Sequence, residues 1–387
     1  MDYRELVERA KRDIREIEPT DLERSLGSVD VLIDVREPAE HSLGAIQGSV
    51  LIPRGVLEST VRTQAPSTEL RIVLYCEAGN RSALAAKTLA DMGYGDVTSL
   101  AGGFERWKRE GLPWRAPQAL SIEQRVRYDR HLKLPEVGEA GQAKLLEARV
   151  LIIGAGGLGS PAAMYLAAAG VGTIGIADGD VVDASNLQRQ VIHSVDRIGR
   201  LKVDSAAETI ASINPDVKVE QHPMRLTAAN ILEVLGGYDL VVDGADNFPT
   251  RYLVNDASLH LGKPVVHGSI FRFEGQATTF TPYEGPCYRC LFALPPPPEL
   301  APSCAEAGVL GALPGMIGSI QAIEALKLIL GTGEPLVGRL VMYDALEQHF
   351  TTLQIPRDPN CAACSDPGAP PLLVDYDETC APAAANR

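Results

Sequence analysis

The sequence predicts an α/β protein of two unequal domains. Three observations predict it. The chain has 387 residues, at roughly 100–200 residues per domain. Hydrophobic residues make up 45%, enough for packed cores and too many for global disorder. Short apolar runs alternate with helical segments twice, on either side of a proline-containing stretch without periodicity at 113–119.

Residues 1–18 alternate in charge and lack the apolar core of a signal peptide, so a helical extension in a cytoplasmic protein is expected. Residues 29–35 and 71–76 are strand-like, and 81–92 forms an amphipathic helix ended by Gly93. They define a first domain over 19–115, followed by a linker at 116–120. A helical lead-in at 121–146 opens the second domain, 121–364. There, apolar strands at 149–153, 173–177 and 238–243 alternate with helices at 161–169 and 202–213, the pattern of a parallel sheet. The prolines at 295–298 make a stiff loop inside this domain, and 365–387, rich in Pro, Ala and Asp, is expected to be a flexible tail. No strongly apolar window of about 18 residues stands out, so no membrane partner is expected.

The formal net charge of −14 argues against general binding to nucleic acid. Any phosphate site must be a local cationic cluster. Seven cysteines, an odd number in a long chain, do not make a secreted disulfide framework; they suit metal binding or thiol chemistry in a reducing compartment.

One cysteine sits in a tight loop. The apolar strand Ile72-Val73-Leu74-Tyr75 runs into Cys76-Glu77-Ala78-Gly79-Asn80-Arg81-Ser82, and a helix follows. Backbone amides and a helix N-terminus at such a point favour a thiolate, and Arg81 adds positive charge. With Asp34-Val35-Arg36-Glu37-Pro38, Gly44-Ala45-Ile46-Gln47-Gly48-Ser49 and Gly102-Gly103-Phe104-Glu105-Arg106-Trp107, the segment resembles a rhodanese homology domain. The resemblance implies a persulfide on Cys76 cradled by the loop amides, with Asp34 and Arg36 as loop supports. Phosphatases of related fold have a longer loop between Cys and Arg, so sulfur transfer is expected here instead.

The second domain opens with a buried strand and Gly154-Ala155-Gly156-Gly157-Leu158-Gly159, then a helix of small residues. This geometry seats a nucleotide phosphate at a helix N-terminus, and Asp178 ends the next strand where a carboxylate can hold ribose hydroxyls. Alone, it equally suits an NAD-dependent oxidoreductase. Beyond it come Ser185, Asn186, Arg189, Lys202, Asp246 and Asn247. Hydride transfer has no need of such a set, whereas attack on an α-phosphate does: Arg and Lys neutralise polyphosphate and Asp holds Mg²⁺. Together with Arg127-Tyr128-Asp129-Arg130-His131 and Glu274-Gly275-Gln276, these residues closely resemble the MoeB/ThiF adenylyltransferases, on a Rossmann-like fold. The resemblance implies that the glycines and Asp178 bind ATP. It implies that Asn186, Arg189 and Lys202 hold phosphates and that Asp246 positions Mg²⁺. It also implies that Arg130 reaches the phosphates, in this family often from the partner subunit of a dimer, so a homodimer is expected.

Cys287-x-x-Cys290 and Cys361-x-x-Cys364 can close a tetrahedral S₄ site for structural Zn²⁺. Cys304, after the proline loop, is expected to link covalently to the activated carrier or to form a disulfide with the sulfur donor, by the same resemblance; Cys380 has no motif. The expected partners are a small ubiquitin-like sulfur-carrier protein ending in Gly-Gly, of molybdopterin synthase or ThiS type, and a persulfide donor such as a cysteine desulfurase. The expected activity is adenylylation of the carrier followed by sulfur transfer to a thiocarboxylate. Besides the oxidoreductase, a non-catalytic binder of a ubiquitin-like protein is the remaining alternative.

Overall fold

A computed structural model describes residues 2–114, 120–294 and 308–376. The chain divides into two compact units, Met1–Leu120 and Ser121–Arg387. Each carries its own sheet.

The smaller unit has strands β1 (Arg15–Ile17), β2 (Val31–Asp34), β3 (Val50–Leu51), β4 (Arg71–Tyr75) and β5 (Asp96–Leu100). They form a parallel sheet in the order β1-β5-β4-β2-β3. A central parallel strand is buried on both faces, which is why β4 is a continuous apolar run. Successive β4 residues feed opposite cores: Ile72 and Leu74 on one face, Val73 and Tyr75 on the other. The N-terminal stretch departs from the expected extension. Helix α1 (Tyr3–Asp13) starts at an Asp2/Glu5 capping box and buries Val7 and Ala10, and β1 pairs with β5 at the sheet edge. Three strand residues after a helix are too few to show a period in the sequence.

The larger unit holds an eight-stranded sheet in the order β13-β12-β11-β10-β9-β6-β7-β8. Its strands are β6 (Arg149–Ile153), β7 (Thr173–Ala177), β8 (Lys218–His222), β9 (Leu240–Asp243), β10 (Val265–Phe271), β11 (Glu274–Phe280), β12 (Arg339–Asp344) and β13 (His349–Gln354). The expected parallel sheet covers β8-β7-β6-β9-β10; β11, β12 and β13 add an antiparallel half. Strand order reverses beside β6, so the crevice at the carboxyl ends of β6, β7 and β9 is the place where such a sheet binds ligands.

Two helical layers cover the parallel half. Val150 and Ile152 of β6 face a core built from helices Gly159–Ala169, Lys202–Ile213 and Leu313–Leu330. Leu151 and Ile153 face the core of helices Ile231–Gly236 and Phe248–Leu261. Leu313–Leu330 is long and apolar enough, by length and composition alone, to cross a membrane. Here it lies against β10, β11 and Gly159–Ala169, with Gln321 and Glu324 buried.

The expected flexible tail is packed as far as Tyr376. Leu373 and Tyr376 join the core beside Phe248–Leu261, Asp375 accepts from the Ala228 amide at 2.7 Å, and the Pro371 carbonyl accepts from His260 at 2.6 Å. Low apolar content hid two well-placed side chains. Of the expected linker 116–120, residues 116–119 lie outside the described residues.

Candidate active sites and metal centre

In the smaller unit, Cys76 follows β4 directly and is 1% exposed. Helix Asn80–Asp91 begins four residues later, after Gly79 at φ +82°. The Cys76 and Glu77 carbonyls accept from the Phe104 and Glu105 amides at 2.8 and 2.9 Å. A trans peptide directs its N–H opposite to its C=O, so the Glu77 and Ala78 amides point away from helix Gly103–Arg109. Gly103 lets that helix approach: at φ +60°, a Cβ there would lie 2.3 Å from the Cys76 carbonyl oxygen. The Ser82 hydroxyl donates to Cys76 Sγ at 3.6 Å and accepts from the Ser99 hydroxyl at 2.9 Å.

Charged groups frame this loop in pairs. Buried Arg36 forks onto Asp34 at 2.8–3.1 Å and reaches Glu77 at 2.8 Å. Burial would raise the Asp34 carboxyl, but hydrogen bonds from His41 and Arg36 hold it below the ordinary range. Arg81 donates to both oxygens of Glu40, at 2.7 and 2.5 Å.

In the larger unit, β6 runs into Gly154 at φ +84° and helix Gly159–Ala169 starts five residues later. A Cβ at Gly159 would lie 1.9 Å from the Gly154 carbonyl oxygen, so only glycine fits this turn. Gly157 lies against Arg189, and Gly156 beside Gln190. Asp178, at the end of β7, accepts from the Ala155 amide at 2.9 Å and the Asp180 amide at 2.8 Å, with Lys202 Nζ 3.8 Å away. Burial raises its carboxyl, and Lys202 opposes the shift. Lys202 is itself buried and donates to Asp180 at 2.7 Å. Asn186 Oδ1 accepts from Arg189 at 3.0 Å and Gln190 at 3.3 Å. The glycine loop, Asp178, Asn186, Arg189 and Lys202 are thus brought together.

Asp246 and Asn247 follow β9, the other neighbour of β6. The Asn247 side chain caps helix Phe248–Leu261 through the Thr250 amide at 2.9 Å and lies 3.3 Å from Asp246 Oδ1. Ser185 is turned onto Asp183, with its amide at 2.8 Å and hydroxyl at 2.6 Å. Arg130 stands apart: its side chain is 88% exposed and pairs with Asp129 at 3.6 Å. Cys304 and Cys380 lie outside the described residues.

Several buried supports escaped sequence reasoning. His193 donates from Nε2 to the Ala155 carbonyl at 2.9 Å, which leaves Nδ1 to accept from Ser205 at 2.8 Å. Burial lowers its pKa and keeps this neutral tautomer. Gln321 ties the Asp243 and Val266 carbonyls together at 2.7 and 3.0 Å, and His267 Nδ1 meets Asp243 Oδ2 at 2.7 Å. The signal for each is only a polar residue inside an apolar run.

Cys287, Cys290, Cys361 and Cys364 converge with all four sulfurs within 4.8 Å of one another. Neighbouring sulfurs lie 3.7, 3.9 and 3.5 Å apart. Four thiolates at about 2.3 Å from a tetrahedral ion stand about 3.8 Å apart, so the cluster fits a closed metal site. Burial and the neighbouring thiols push the Cys287 thiol up and Cys364 up to about 11. A cation at the centre reverses that repulsion.

Comparison with known proteins agrees with both units. The sulfur carrier protein adenylyltransferase of Thermus thermophilus is 51% identical over 263 residues, 67% of this chain and 97% of that protein. The SAMP-activating enzyme E1 of Haloferax volcanii is 52% identical over 264 residues, 68% of this chain and 97% of that protein. The probable adenylyltransferase/sulfurtransferase MoeZ of Mycobacterium tuberculosis is 53% identical over 266 residues, 68% of this chain and 66% of that protein. The crystal structure of E. coli MccB with ATP shares the fold, at a TM-score of 0.55 and 21% identity over 62% of this chain and 75% of that one. Residues 18–110 match the rhodanese-like domain and residues 128–363 the ThiF family. The chain belongs to the ThiF family and carries a rhodanese-like domain ahead of its ThiF unit.

Proposed function

We propose that this protein adenylylates the C-terminal glycine of a small ubiquitin-like sulfur-carrier protein and passes sulfur from a persulfide on Cys76 to the activated carboxyl. The observation that carries the reading is the gathering of the glycine loop, Asp178, Asn186, Arg189 and Lys202 beside β6, in a chain that also holds a loop cysteine buried at the end of β4. The names of the related enzymes from Thermus and Mycobacterium support it.

In this reading the helix N-terminus at Gly159 and the glycine-loop amides receive phosphate, and Asp178 exchanges its amide contacts for ribose hydroxyls. Arg189 and Lys202 leave Asn186 and Asp180 to neutralise the polyphosphate as the carrier carboxylate attacks the α-phosphorus and pyrophosphate departs. Asp246, whose side-chain partner among the described residues is Asn247, fits a Mg²⁺ ion, which supplies charge neutralisation when bound. The outer sulfur of the Cys76 persulfide attacks the acyl carbon and AMP leaves, giving an acyl disulfide on Cys76; a thiol then attacks the Cys76 sulfur, forming a disulfide with it and releasing the thiocarboxylate. Exposed Arg130 serves the site of a second copy in a homodimer. The cysteine cluster holds Zn²⁺ and ties the chain beyond Asn360 to the segment at Cys287. Cys304 takes part in release of the product. The whole operates in the cytoplasm.

The test is ATP–pyrophosphate exchange with a carrier ending in Gly-Gly. Asp246→Ala should lower exchange by on the order of 100-fold or more. Cys76→Ala should leave exchange intact and abolish thiocarboxylate formation. Exchange that persists in Asp246→Ala, or thiocarboxylate formed by Cys76→Ala, overturns the corresponding assignment.

A further inference from the structure

We propose that His267 and Asp243 are positioning residues that fix the turn bearing Asp246, so that its carboxylate is set for a divalent cation on the nucleotide phosphates. The inference rests on the metal-holding reading of Asp246 and adds the buried pair that aims it.

Asp246 lies on the short turn between β9 and helix Phe248–Leu261. The turn is pressed against the glycine loop. The Gly244 amide donates to the Ile153 carbonyl at 3.0 Å, and a Cβ at Gly154 would lie 3.1 Å from the Gly244 carbonyl oxygen. After Asp246, the Asn247 side chain is fixed by its cap on the Thr250 amide. Before Asp246, the Ala245 carbonyl accepts from Arg251 at 3.0 and 3.2 Å. The Ala245 amide donates to Asp243 Oδ1 at 3.0 Å. The course of the chain into Asp246 therefore depends on where the Asp243 carboxylate points.

His267 sets that direction. It stands opposite Asp243 at the point where the parallel pairing of β9 and β10 stops. On its other side β10 pairs with β11, so His267 sits on a strand held along both edges. Its ring is walled by Phe280 and Tyr288, with centroids 5.8 and 5.2 Å away. His267 is 3% and Asp243 2% exposed. A carboxylate only accepts, so Nδ1 carries the proton and donates to Asp243 Oδ2 at 2.7 Å. One oxygen of Asp243 is thus tied to the rigid strand and the other to the turn. Gln321 clamps the backbone at the same place through the Asp243 and Val266 carbonyls. Without the imidazole, a buried carboxylate oxygen loses its partner; the group then turns toward another donor and releases the Ala245 amide. Support of this kind holds a metal ligand in its productive orientation.

The probe is α,β-methylene ATP, titrated into the full chain by calorimetry with and without Mg²⁺. Comparing the two affinities reads the metal apart from the nucleotide pocket. His267→Leu and His267→Phe fill the site without a donor. Each should weaken binding in Mg²⁺ about tenfold and leave the metal-free affinity within about twofold, the scale of a lost outer-shell support. In His267→Asn the side-chain amide can take the place of Nδ1. That variant should bind within about threefold of the wild type in Mg²⁺, although the void it leaves lowers its melting midpoint. Leu235→Ala, in the neighbouring core, should also melt lower and keep the full Mg²⁺ response. Leu and Phe variants with wild-type affinity in Mg²⁺ overturn the proposal. So does a loss that is equal with and without Mg²⁺, the mark of a packing role. If neither donor-less variant folds, His267→Asn decides, and a loss of about tenfold in it overturns the proposal. A Mg²⁺ response that survives in Asp246→Ala overturns the metal-holding reading of Asp246 itself.

Discussion

Arg36 is among the largest fully buried side chains of the smaller unit, and its charge is tolerable because Asp34 meets it there, with Glu77 at another edge of the guanidinium. Removing one partner of a buried pair leaves the other charge uncompensated, a cost of about 3–5 kcal/mol. Asp34→Asn should therefore destabilise the smaller unit by about 3 kcal/mol, since Glu77 still meets one edge of the guanidinium. Both tryptophans, Trp107 and Trp114, lie in this unit, so urea unfolding followed by tryptophan fluorescence reads it alone. The pH dependence has a definite sign. The Asp34 carboxyl is held below its ordinary value of 3.8 in the folded state, so its contribution is complete above that value. The gap between wild type and Asp34→Asn should close as pH falls below 3.8 through the folded-state value. A gap that is constant down to pH 2 would mean that the pair contributes nothing beyond packing.

Local patterns made some elements legible and hid others. Residues 149–153 were readable because an apolar run ended by a glycine loop is complete within its own few residues. The glycine loop and the Cys76 loop were readable for the same reason. The antiparallel strands β11 to β13 were not: β13 is exposed at all six positions, so it has no alternation to detect. Supports were invisible because their partners are remote, as with Gln321 and Asp243, 78 residues apart, or His193 and Ala155, 38 apart. The packed end of the chain is the plainest case. Tyr376 accepts from Arg289 at 3.0 Å, and Arg289 pairs with buried Asp256 at 2.7 Å. Val374, Asp375 and Tyr376 also wall a cavity of about 430 Å³ against Pro249 and Thr250, next to the turn that bears Asp246. Deleting residues 372–387 strips Leu373 and Tyr376 from that core. It should cost about 2–4 kcal/mol and lower the thermal midpoint of the larger unit. A deletion variant with an unchanged midpoint would show that this segment only rests on the surface.

At the scale of the whole molecule, metal removal separates the two units. The cluster joins Cys287 and Cys290 to Cys361 and Cys364, closing a loop of more than 70 residues entirely within the larger unit. A bound ion adds its own binding free energy to the folded state of that unit, and stripping it leaves crowded thiols of which Cys287 and Cys364 are pushed toward the neutral form. The smaller unit has its own sheet, its own two cores and no part in the cluster. A strong chelator should therefore lower the thermal midpoint seen by far-ultraviolet circular dichroism and leave the tryptophan-fluorescence midpoint in place. Persulfide loading of Cys76 should survive chelation, while carrier-dependent pyrophosphate exchange should fall as the larger unit loosens. Adding zinc back should restore both the midpoint and the exchange. Coincident loss of the tryptophan signal and of Cys76 loading would show that the smaller unit depends on the metal-bound one for its stability.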